Sequence, residues 1–315
     1  MKALITGGAG FVGQWLASAL LARGDDVVLA GLGAAFDGPH ILTSDERARV
    51  GWLSMDVRDS AQVAGGVARA AADTVFHLAG MSFPPDADRA PIDAYDINTL
   101  GAVRLLDAVR RTRPDATTLI VGTAVQYGAH PPAEMPLTER AEQRPATTYA
   151  GSKTAQEVAA LESGRAHGLR IICTRSFNHS GVGHGPQYLL PSLVSRVRAI
   201  ARGEEHALRL GNDVTRDYLH VADVVTAYIA LAERGRAGEV YNVCSGVGAS
   251  SRKLAADVLL RAGVSADISL EPSLVRASDI PVLVGSPEKL ARDTGWSPTK
   301  TTTDIIADLL NASTE

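Results

Sequence analysis

Apolar positions in the first half of the chain form short continuous runs that alternate with longer stretches of helical spacing. The runs predict strands at residues 2–6, 26–32, 51–56, 73–80, 118–123 and 169–178. Apolar residues at helical spacing predict helices between them, the clearest at residues 11–24, 96–112 and 147–168. Alternating strands and helices predict right-handed βαβ units in a parallel sheet covered on both faces. We therefore expect an α/β fold with a Rossmann-type, doubly wound parallel sheet.

This alternation stops after about Phe177, where glycine, histidine, proline and asparagine become dense. Helical patterns then dominate at residues 189–203 and 251–263, while residues 216–244 again indicate a helix and a strand. The chain therefore leaves the sheet domain, returns to it and leaves again. We predict a sheet domain of residues 1–177 with 214–244, and a smaller, mostly helical domain of residues 178–213 with 245–315.

Composition narrows the classes of function. The formal net charge is −4, which gives no general electrostatic case for binding nucleic acid. No apolar run reaches the ~18 residues that a membrane span needs, so we expect no membrane-spanning segment. The two cysteines, Cys173 and Cys244, make no disulfide framework and suit a reducing compartment. Because the first residues already form a predicted strand, we expect no signal peptide and a cytoplasmic protein.

A glycine triplet connects the first predicted strand to the first predicted helix. Glycines in such a turn allow a tight bend, a close approach to a pyrophosphate and close packing of helix on strand. The helix N-terminus adds unpaired N–H groups and a partial positive charge. A turn without a ligand is the alternative. We predict a dinucleotide site whose contacts at this turn are Gly7, Gly10, Phe11, Val12 and Gly13.

The choice between NAD(H) and NADP(H) depends on the end of the second strand. An acidic residue there would bind the adenosine ribose hydroxyls and favour NAD. The first carboxylate is Asp37, beyond the strand end, and no arginine lies there to bind a 2′-phosphate. NADP(H) is therefore favoured weakly and NAD(H) stays open. Asp56, after the third strand, is a candidate acceptor for the adenine amino group, with a solvated loop acid as the alternative.

Tyr149 and Lys153 lie four residues apart in YAGSK, on one face of a predicted helix. An ammonium beside a phenol favours the phenolate, so we expect the pKa of Tyr149 to fall toward neutrality. Such a tyrosine can give a proton to a carbonyl or take one from an alcohol. Thr123, at the end of the fifth strand, can aim its hydroxyl at the same oxygen. A chance helical pair and an ordinary strand threonine are the alternatives.

Ordered motifs along the whole chain carry a family resemblance: TGGAGFVG, MDVRD, FHLAG, DIN, GTAVQYG, YAGSK, RSFNHSGVG, RDYLHVADV, YNVCSG and TGW. On these motifs the sequence resembles the extended short-chain dehydrogenases/reductases, the family of nucleotide-sugar epimerases, dehydratases and reductases. The resemblance implies NAD(P) in the sheet domain, a nucleotide-diphosphate sugar in the smaller domain, and a homodimer formed through the helix after Asn98 and the helix carrying Tyr149. It also implies cofactor contacts from Asp56, Val57, Leu78, Ala79, Gly80, Asn98, Tyr149 and Lys153.

Within the family the sequence is most similar to GDP-4-keto-6-deoxy-mannose reductases, chiefly through RSFNHSGVG and the segment RASDIPVLVGSPEKLARDTGW. This likeness implies that Arg276 and Asp279 bind the ribose and phosphates of the nucleotide. It further implies that Asn178 contacts the sugar or its diphosphate and that Arg216 contacts the diphosphate. The spacings of His77, His179, His184 and His220 match no zinc pattern, so no metal is expected.

One position departs from the dehydratases of this family, which place a glutamate two residues after the catalytic threonine to remove a C5 proton. Val125 stands there, beside Thr123 in the expected sugar site, and valine cannot act as a base. We therefore expect reduction of the C4 ketone of a nucleotide-activated 4-keto-6-deoxy sugar, with Tyr149 as proton donor. A 4-epimerase with retained NAD is the alternative; a 4,6-dehydratase or a non-catalytic dinucleotide-binding protein is less favoured.

Overall fold

The computed structural model describes residues 1–34, 36, 41–275 and 279–312. Its strands are β1 Lys2–Thr6, β2 Asp26–Gly31, β3 Gly51–Ser54, β4 Thr74–His77, β5 Thr117–Thr123, β6 Ile171–Ser176, β7 Asn178–Ser180, β8 Ala207–Leu210, β9 Thr215–His220, β10 Val240–Val243, β11 Gly248–Ser250, β12 Asp267–Leu270 and β13 Val282–Leu283. Each predicted strand of the first half is present, generally somewhat shorter than the apolar run that predicts it.

Twelve α-helices accompany these strands in the described residues. They are α1 Phe11–Ala22, α2 Ser44–Arg49, α3 Ser60–Ala70, α4 Pro84–Arg89, α5 Pro91–Tyr95, α6 Gly101–Thr112, α7 Thr148–His167, α8 Leu189–Ala201, α9 Val221–Arg234, α10 Ser251–Ala262, α11 Glu288–Thr294 and α12 Thr302–Asn311. A π-helical turn, Asp96–Leu100, leads into α6. Within the described residues, no helix combines the length and apolar character needed to cross a bilayer.

The central sheet has seven strands among the described residues, in the order β10-β6-β5-β4-β1-β2-β3, and every neighbouring pair is parallel. One face is covered by α1 and α9, where Leu16, Leu20 and Tyr228 join the buried core. The other face is covered by α3 and α6, whose buried residues include Val67 and Leu105. The predicted doubly wound arrangement is therefore confirmed.

The region beyond β6 packs around a second core formed by α8, α10 and α12. Small sheets accompany these helices in the described residues: β11-β9-β13 with β7 beside β9, and the pair β12-β8. The return segment divides between the two layers, because α9 and β10 belong to the central sheet and its cover whereas β9 joins the small sheet. The division into two domains with the boundaries given above stays a prediction.

Strand β9 runs directly into α9 without an intervening loop. His220 caps the helix, since its Nδ1 accepts a hydrogen bond from the Ala222 amide at 3.0 Å. Its Nε2 lies 2.9 Å from an Asp308 carboxylate oxygen on α12. This junction joins the small sheet to the layer that covers the central sheet.

Candidate active site

The turn between β1 and α1 is packed too closely for side chains. Gly7 has a φ of +70°, and a Cβ there would lie 2.8 Å from the Ala79 amide nitrogen. A Cβ on Gly13 would lie 2.5 Å from the Gly7 carbonyl oxygen. Both glycines therefore allow the turn to lie directly against the end of β4 and the first turn of α1.

The N-terminus of α1 is open toward a large cleft. Gly10 occupies the N-cap position in extended conformation and supplies no side-chain cap. A Cβ on Gly10 would meet only the Gly7 carbonyl oxygen among the described residues, at 3.1 Å. The turn and the start of α1, including Phe11, Val12 and Gly13, line a cleft of about 1310 Å³. An uncapped helix end facing a glycine cradle fits the pyrophosphate of a dinucleotide.

Leu78, Ala79 and Gly80, which follow β4, also line this cleft. Asn98 does not line it; this buried side chain lies behind the loop. Its Oδ1 accepts a hydrogen bond from the Met81 amide at 2.8 Å, and its Nδ2 donates to the Ser152 hydroxyl at 2.9 Å. In this structure Asn98 therefore supports the loop after β4 and the helix that carries Tyr149.

Asp56 and Val57 follow β3, and neither lines the cleft. The Asp56 carboxylate accepts hydrogen bonds from the Arg58 guanidinium, at 2.7 Å from Nη2, and this pairing lowers the pKa of Asp56. Val57 is buried. The contact of Asp56 with adenine and the contact of Val57 with the cofactor stay predictions. Asp37 lies outside the described residues.

Thr123, Tyr149 and Lys153 come together at the carboxyl edge of the central sheet. Thr123 ends β5, Tyr149 lies in the first turn of α7, and Lys153 follows one turn later. The side chain of Thr147 caps α7 by accepting a hydrogen bond from the Ala150 amide at 3.2 Å. Thr123 interacts with the Tyr149 phenol in the sense that lowers its pKa, and all three predicted catalytic residues line the cleft.

The expected fall in the pKa of Tyr149 is wrong. Burial raises the pKa of Tyr149 to about 12, and the hydrogen bond with Thr123 opposes this rise only in part. Burial also lowers the pKa of Lys153 from 10.5 to about 7. The cause of the error is desolvation, which disfavours the charged form of both groups. Tyr149 is therefore a protonated phenol at neutral pH.

The far end of the cleft is positively charged. Arg216 on β9 is half-buried, desolvation lowers its pKa, and its Nη1 donates to the Thr215 carbonyl oxygen at 3.0 Å. An Asp279 carboxylate oxygen accepts a hydrogen bond from the Asn212 amide at 2.8 Å. Exposed Asn178 begins β7 and lines the same cleft. Arg276 lies outside the described residues.

The four histidines considered for a metal do not form one cluster, although His179 and His184 both stack on Phe11. His77 is buried beneath the loop after β4, where burial and the charge of Lys153 lower its pKa to about 3. His184 stacks between the rings of Phe11 and Tyr188, with centroid distances of 4.7 and 4.1 Å. Within the described parts of the chain, no group of three or more His, Cys, Asp or Glu side chains could hold a metal ion.

The family model described as GDP-mannose 4,6 dehydratase matches residues 4–309 of this chain. The chain belongs to this family of extended short-chain dehydrogenases/reductases. It is 34% identical over 241 residues to the GDP-6-deoxy-D-mannose reductase of Pseudomonas aeruginosa, covering 76% of this chain and 79% of the relative. The predicted family and enzyme class are therefore confirmed.

Solved structures of family members share the whole fold. The structure of RMD from Pseudomonas aeruginosa complexed with NADPH superposes with a TM-score of 0.84 at 31% identity, covering 98% of both chains. The UDP-glucose 4-epimerase of Thermus thermophilus complexed with NAD gives a TM-score of 0.86 at 26% identity, covering 99% of this chain and 100% of that one. This family thus includes reductases and epimerases on one architecture.

The structure also brings forward cleft residues that sequence reasoning missed. Arg196 on α8 and Arg209 on β8 line the same end as Arg216. Tyr188, just before α8, also lines the cleft, and its hydroxyl lies 3.3 Å from the Ser82 hydroxyl. No sequence signal singles out these residues, because an arginine in an amphipathic helix or strand is usually an ordinary surface residue.

Proposed function

We propose that the protein is an NADP(H)-dependent reductase of the C4 ketone of a nucleotide-diphosphate 4-keto-6-deoxy sugar, of the GDP-4-keto-6-deoxy-mannose type. The observation that carries this proposal is the chemistry of the cleft around Thr123 and Tyr149. Of the described residues that line the cleft, Asp279 is the only carboxylate, and it lies at the end occupied by Arg216. The catalytic end therefore offers a proton donor and hydroxyls but no carboxylate base.

The same absence argues against elimination by a dehydratase route. Val125 lines the cleft beside Thr123, where its apolar side chain cannot remove a C5 proton. Chemistry confined to C4 needs only a group that handles a proton at the C4 oxygen. Tyr149, protonated at neutral pH, suits donation of that proton to a ketone.

Thr123, Tyr149 and Lys153 would have different roles at the C4 ketone. The Tyr149 phenol gives its proton to the C4 oxygen, and the Thr123 hydroxyl donates a hydrogen bond to the same oxygen. Lys153 lies on the inner side of α7, where its ammonium would bind the ribose hydroxyls next to the nicotinamide and stabilise the phenolate left on Tyr149. NADPH, held by the turn of Gly7, Gly10 and Gly13, supplies the hydride when bound.

The end of β2 supports NADP(H) as the preferred cofactor. Gly31 and Leu32 line the cleft there without a carboxylate that would repel a 2′-phosphate. The similarity to a family member solved with NADPH supports the same choice. NAD(H) stays the alternative, because no basic side chain lines this end among the described residues.

The positive end of the cleft would hold the nucleotide diphosphate. Guanidinium groups bind phosphate in a bidentate manner, and Arg216 together with Arg196 and Arg209 supplies three of them. Asp279 and Arg276 would contact the ribose, and Asn178 the sugar or its diphosphate. His179 and His184 lie in the same wall and would contact the sugar.

A reductase and a 4-epimerase share these residues, so the test must measure whether NADPH is consumed in proportion to the sugar converted. Purified protein should carry little cofactor and should oxidise one NADPH for each GDP-4-keto-6-deoxy sugar reduced. Tightly retained NAD and interconversion of two nucleotide sugars without net redox change would instead establish the epimerase. Absorbance of the purified protein at the reduced nicotinamide band, followed by a panel of nucleotide sugars, separates the two.

We also propose that the chain forms a homodimer through α5, α6 and α7. Ile92, Leu100, Val103 and Val158 are large apolar side chains that stay exposed on these elements and the turn between them, at 83%, 47%, 41% and 58%. Leu100→Glu/Val158→Glu should yield a monomer in light-scattering chromatography, whereas Leu260→Glu on α10 should not. A wild type that elutes as a monomer would refute the dimer.

The two cysteines, both buried as free thiols, support the cytoplasm as the compartment.

A further inference from the structure

A buried carboxylate lies one helical turn beyond Lys153 on α7. Glu157 is 4% exposed and forms a two-bond ion pair with Arg175 on β6, at 2.9 Å to Nε and 2.7 Å to Nη2. It also accepts hydrogen bonds from Gln143 at 2.6 Å and from Gln126 at 2.9 Å. Each of its oxygens is therefore satisfied by two donors, which fixes its position on the helix.

Gln126 connects this carboxylate to the turn that carries Thr123. Its side chain is fully buried; Nε2 donates to Glu157, and Oε1 accepts a hydrogen bond from the Thr123 amide at 2.8 Å. The two ends of the amide thus have different partners and a single orientation. Gly122 leaves the space for it, since a Cβ there would lie 2.6 Å from the Gln126 oxygen.

This connection spans two elements that must be held in register. Thr123 belongs to the end of β5, whereas Tyr149 and Lys153 belong to α7, and Glu157 lies about 6 Å along the helix axis from Lys153. Gln126 and Glu157 do not line the cleft, so they would not touch a substrate directly. Their influence on chemistry would pass through Thr123, which lines the cleft together with Tyr149 and influences its pKa.

We propose that Gln126 is a positioning residue, which uses the fixed Glu157 carboxylate to hold the Thr123 hydroxyl opposite Tyr149. The proposal rests on the function proposed above, in which both hydroxyls act on one ketone oxygen. A displacement of about 1 Å at a reacting centre costs about 10²-fold in rate. Loss of Gln126 should therefore lower kcat by about 10- to 100-fold, while KM and cofactor affinity stay within about twofold.

The test compares Gln126→Leu with Gln143→Leu. Both substitutions remove a hydrogen bond to Glu157, and Gln143→Leu also removes a longer one that Gln126 donates to Gln143 at 3.3 Å, but only Gln126 bonds the Thr123 amide. Steady-state reduction of the GDP-4-keto-6-deoxy sugar by NADPH should show the loss in kcat for Gln126→Leu and a near-normal kcat for Gln143→Leu. Gln126→Met, which keeps an unbranched side chain of similar length, replaces Gln126→Leu if that variant does not fold.

Hydrogen–deuterium exchange of the Thr123 amide provides a readout that needs no turnover. Exchange should become faster in the Gln126 variants and stay unchanged in Gln143→Leu. Equal kcat values for the two leucine variants, unchanged exchange, or parallel losses in kcat, KM and cofactor affinity would overturn the positioning role. A wild type that does not oxidise NADPH with the substrate would overturn the proposed function instead, and the exchange rates would then decide the positioning of Thr123 alone.

Discussion

Lys153 should make the stability of the ligand-free protein depend on pH. Its side chain is buried, and burial lowers its pKa from 10.5 to about 7. Below the pKa of Lys153 in the folded protein, the buried side chain is charged and lowers the free energy of unfolding. As pH rises from this value toward the pKa in the unfolded chain, the folded protein loses the charge and this destabilisation decreases. Unfolding takes up a proton between these values, so the free energy of unfolding increases with pH there.

The size of this effect follows from the two pKa values. One pKa unit corresponds to about 1.4 kcal/mol, and integration over both titrations from about pH 7 to about pH 9 gives about 2 kcal/mol. Lys153→Met keeps an apolar stem but cannot take up the proton. We therefore expect the free energy of unfolding to rise by about 2 kcal/mol more in the wild type than in Lys153→Met over this range.

Urea unfolding of both proteins at the two pH values, without dinucleotide, measures this difference. Lys253→Met is the control, because Lys253 is an exposed lysine on α10, and its removal should leave the pH dependence as in the wild type. Parallel pH profiles for the wild type and Lys153→Met would mean that Lys153 has an ordinary pKa in the folded protein, which would refute the reasoning.

Tyr149→Phe should reduce turnover by about 10² to 10⁴ with cofactor affinity retained, because only the proposed proton donor is lost; near-normal NADPH oxidation would reject that role. Gly10→Val should abolish dinucleotide binding in a fluorescence titration, since its side chain enters the cleft at the pyrophosphate position. Gly65→Val, at an exposed helical position with open space around it, should bind normally, and equal affinities would count against the site. Val125→Glu should introduce deuterium from D₂O at sugar C5, which mass spectrometry detects; no exchange would mean that more than this valine prevents C5 deprotonation.

The sequence could predict the features that depend on local pattern. The strands, the glycine turn and the YAGSK pair are each short motifs whose periodicity or spacing is set by one element, and the structure brings Thr123, Tyr149 and Lys153 together as expected. The direction of the Tyr149 pKa could not be predicted in this way. It depends on how much chain from other elements covers the phenol, and spacing within one helix contains no information about that burial.

The sequence also could not predict contacts between segments that are far apart in the chain. Residues 216–220 belong to the predicted helix, yet they form strand β9, which pairs with β7, β11 and β13, and the choice of these partners depends on segments far away in the chain. Likewise, Asn98 lies behind the loop after β4 because its amide satisfies Met81 and Ser152, contacts that no motif indicates.

The direct β9–α9 junction has a consequence for substrate length. Arg216 lies on β9, and α9 packs on the central sheet whose carboxyl edge carries Thr123. Because β9 continues directly into α9, this short chain segment fixes the distance between the diphosphate at Arg216 and the ketone at Thr123. Sugars that differ in size must then be accommodated elsewhere in the cleft, and residues 178–188 supply much of its lining. Exchanging that segment between relatives should change which sugar is accepted while the affinity for the nucleotide diphosphate remains the same.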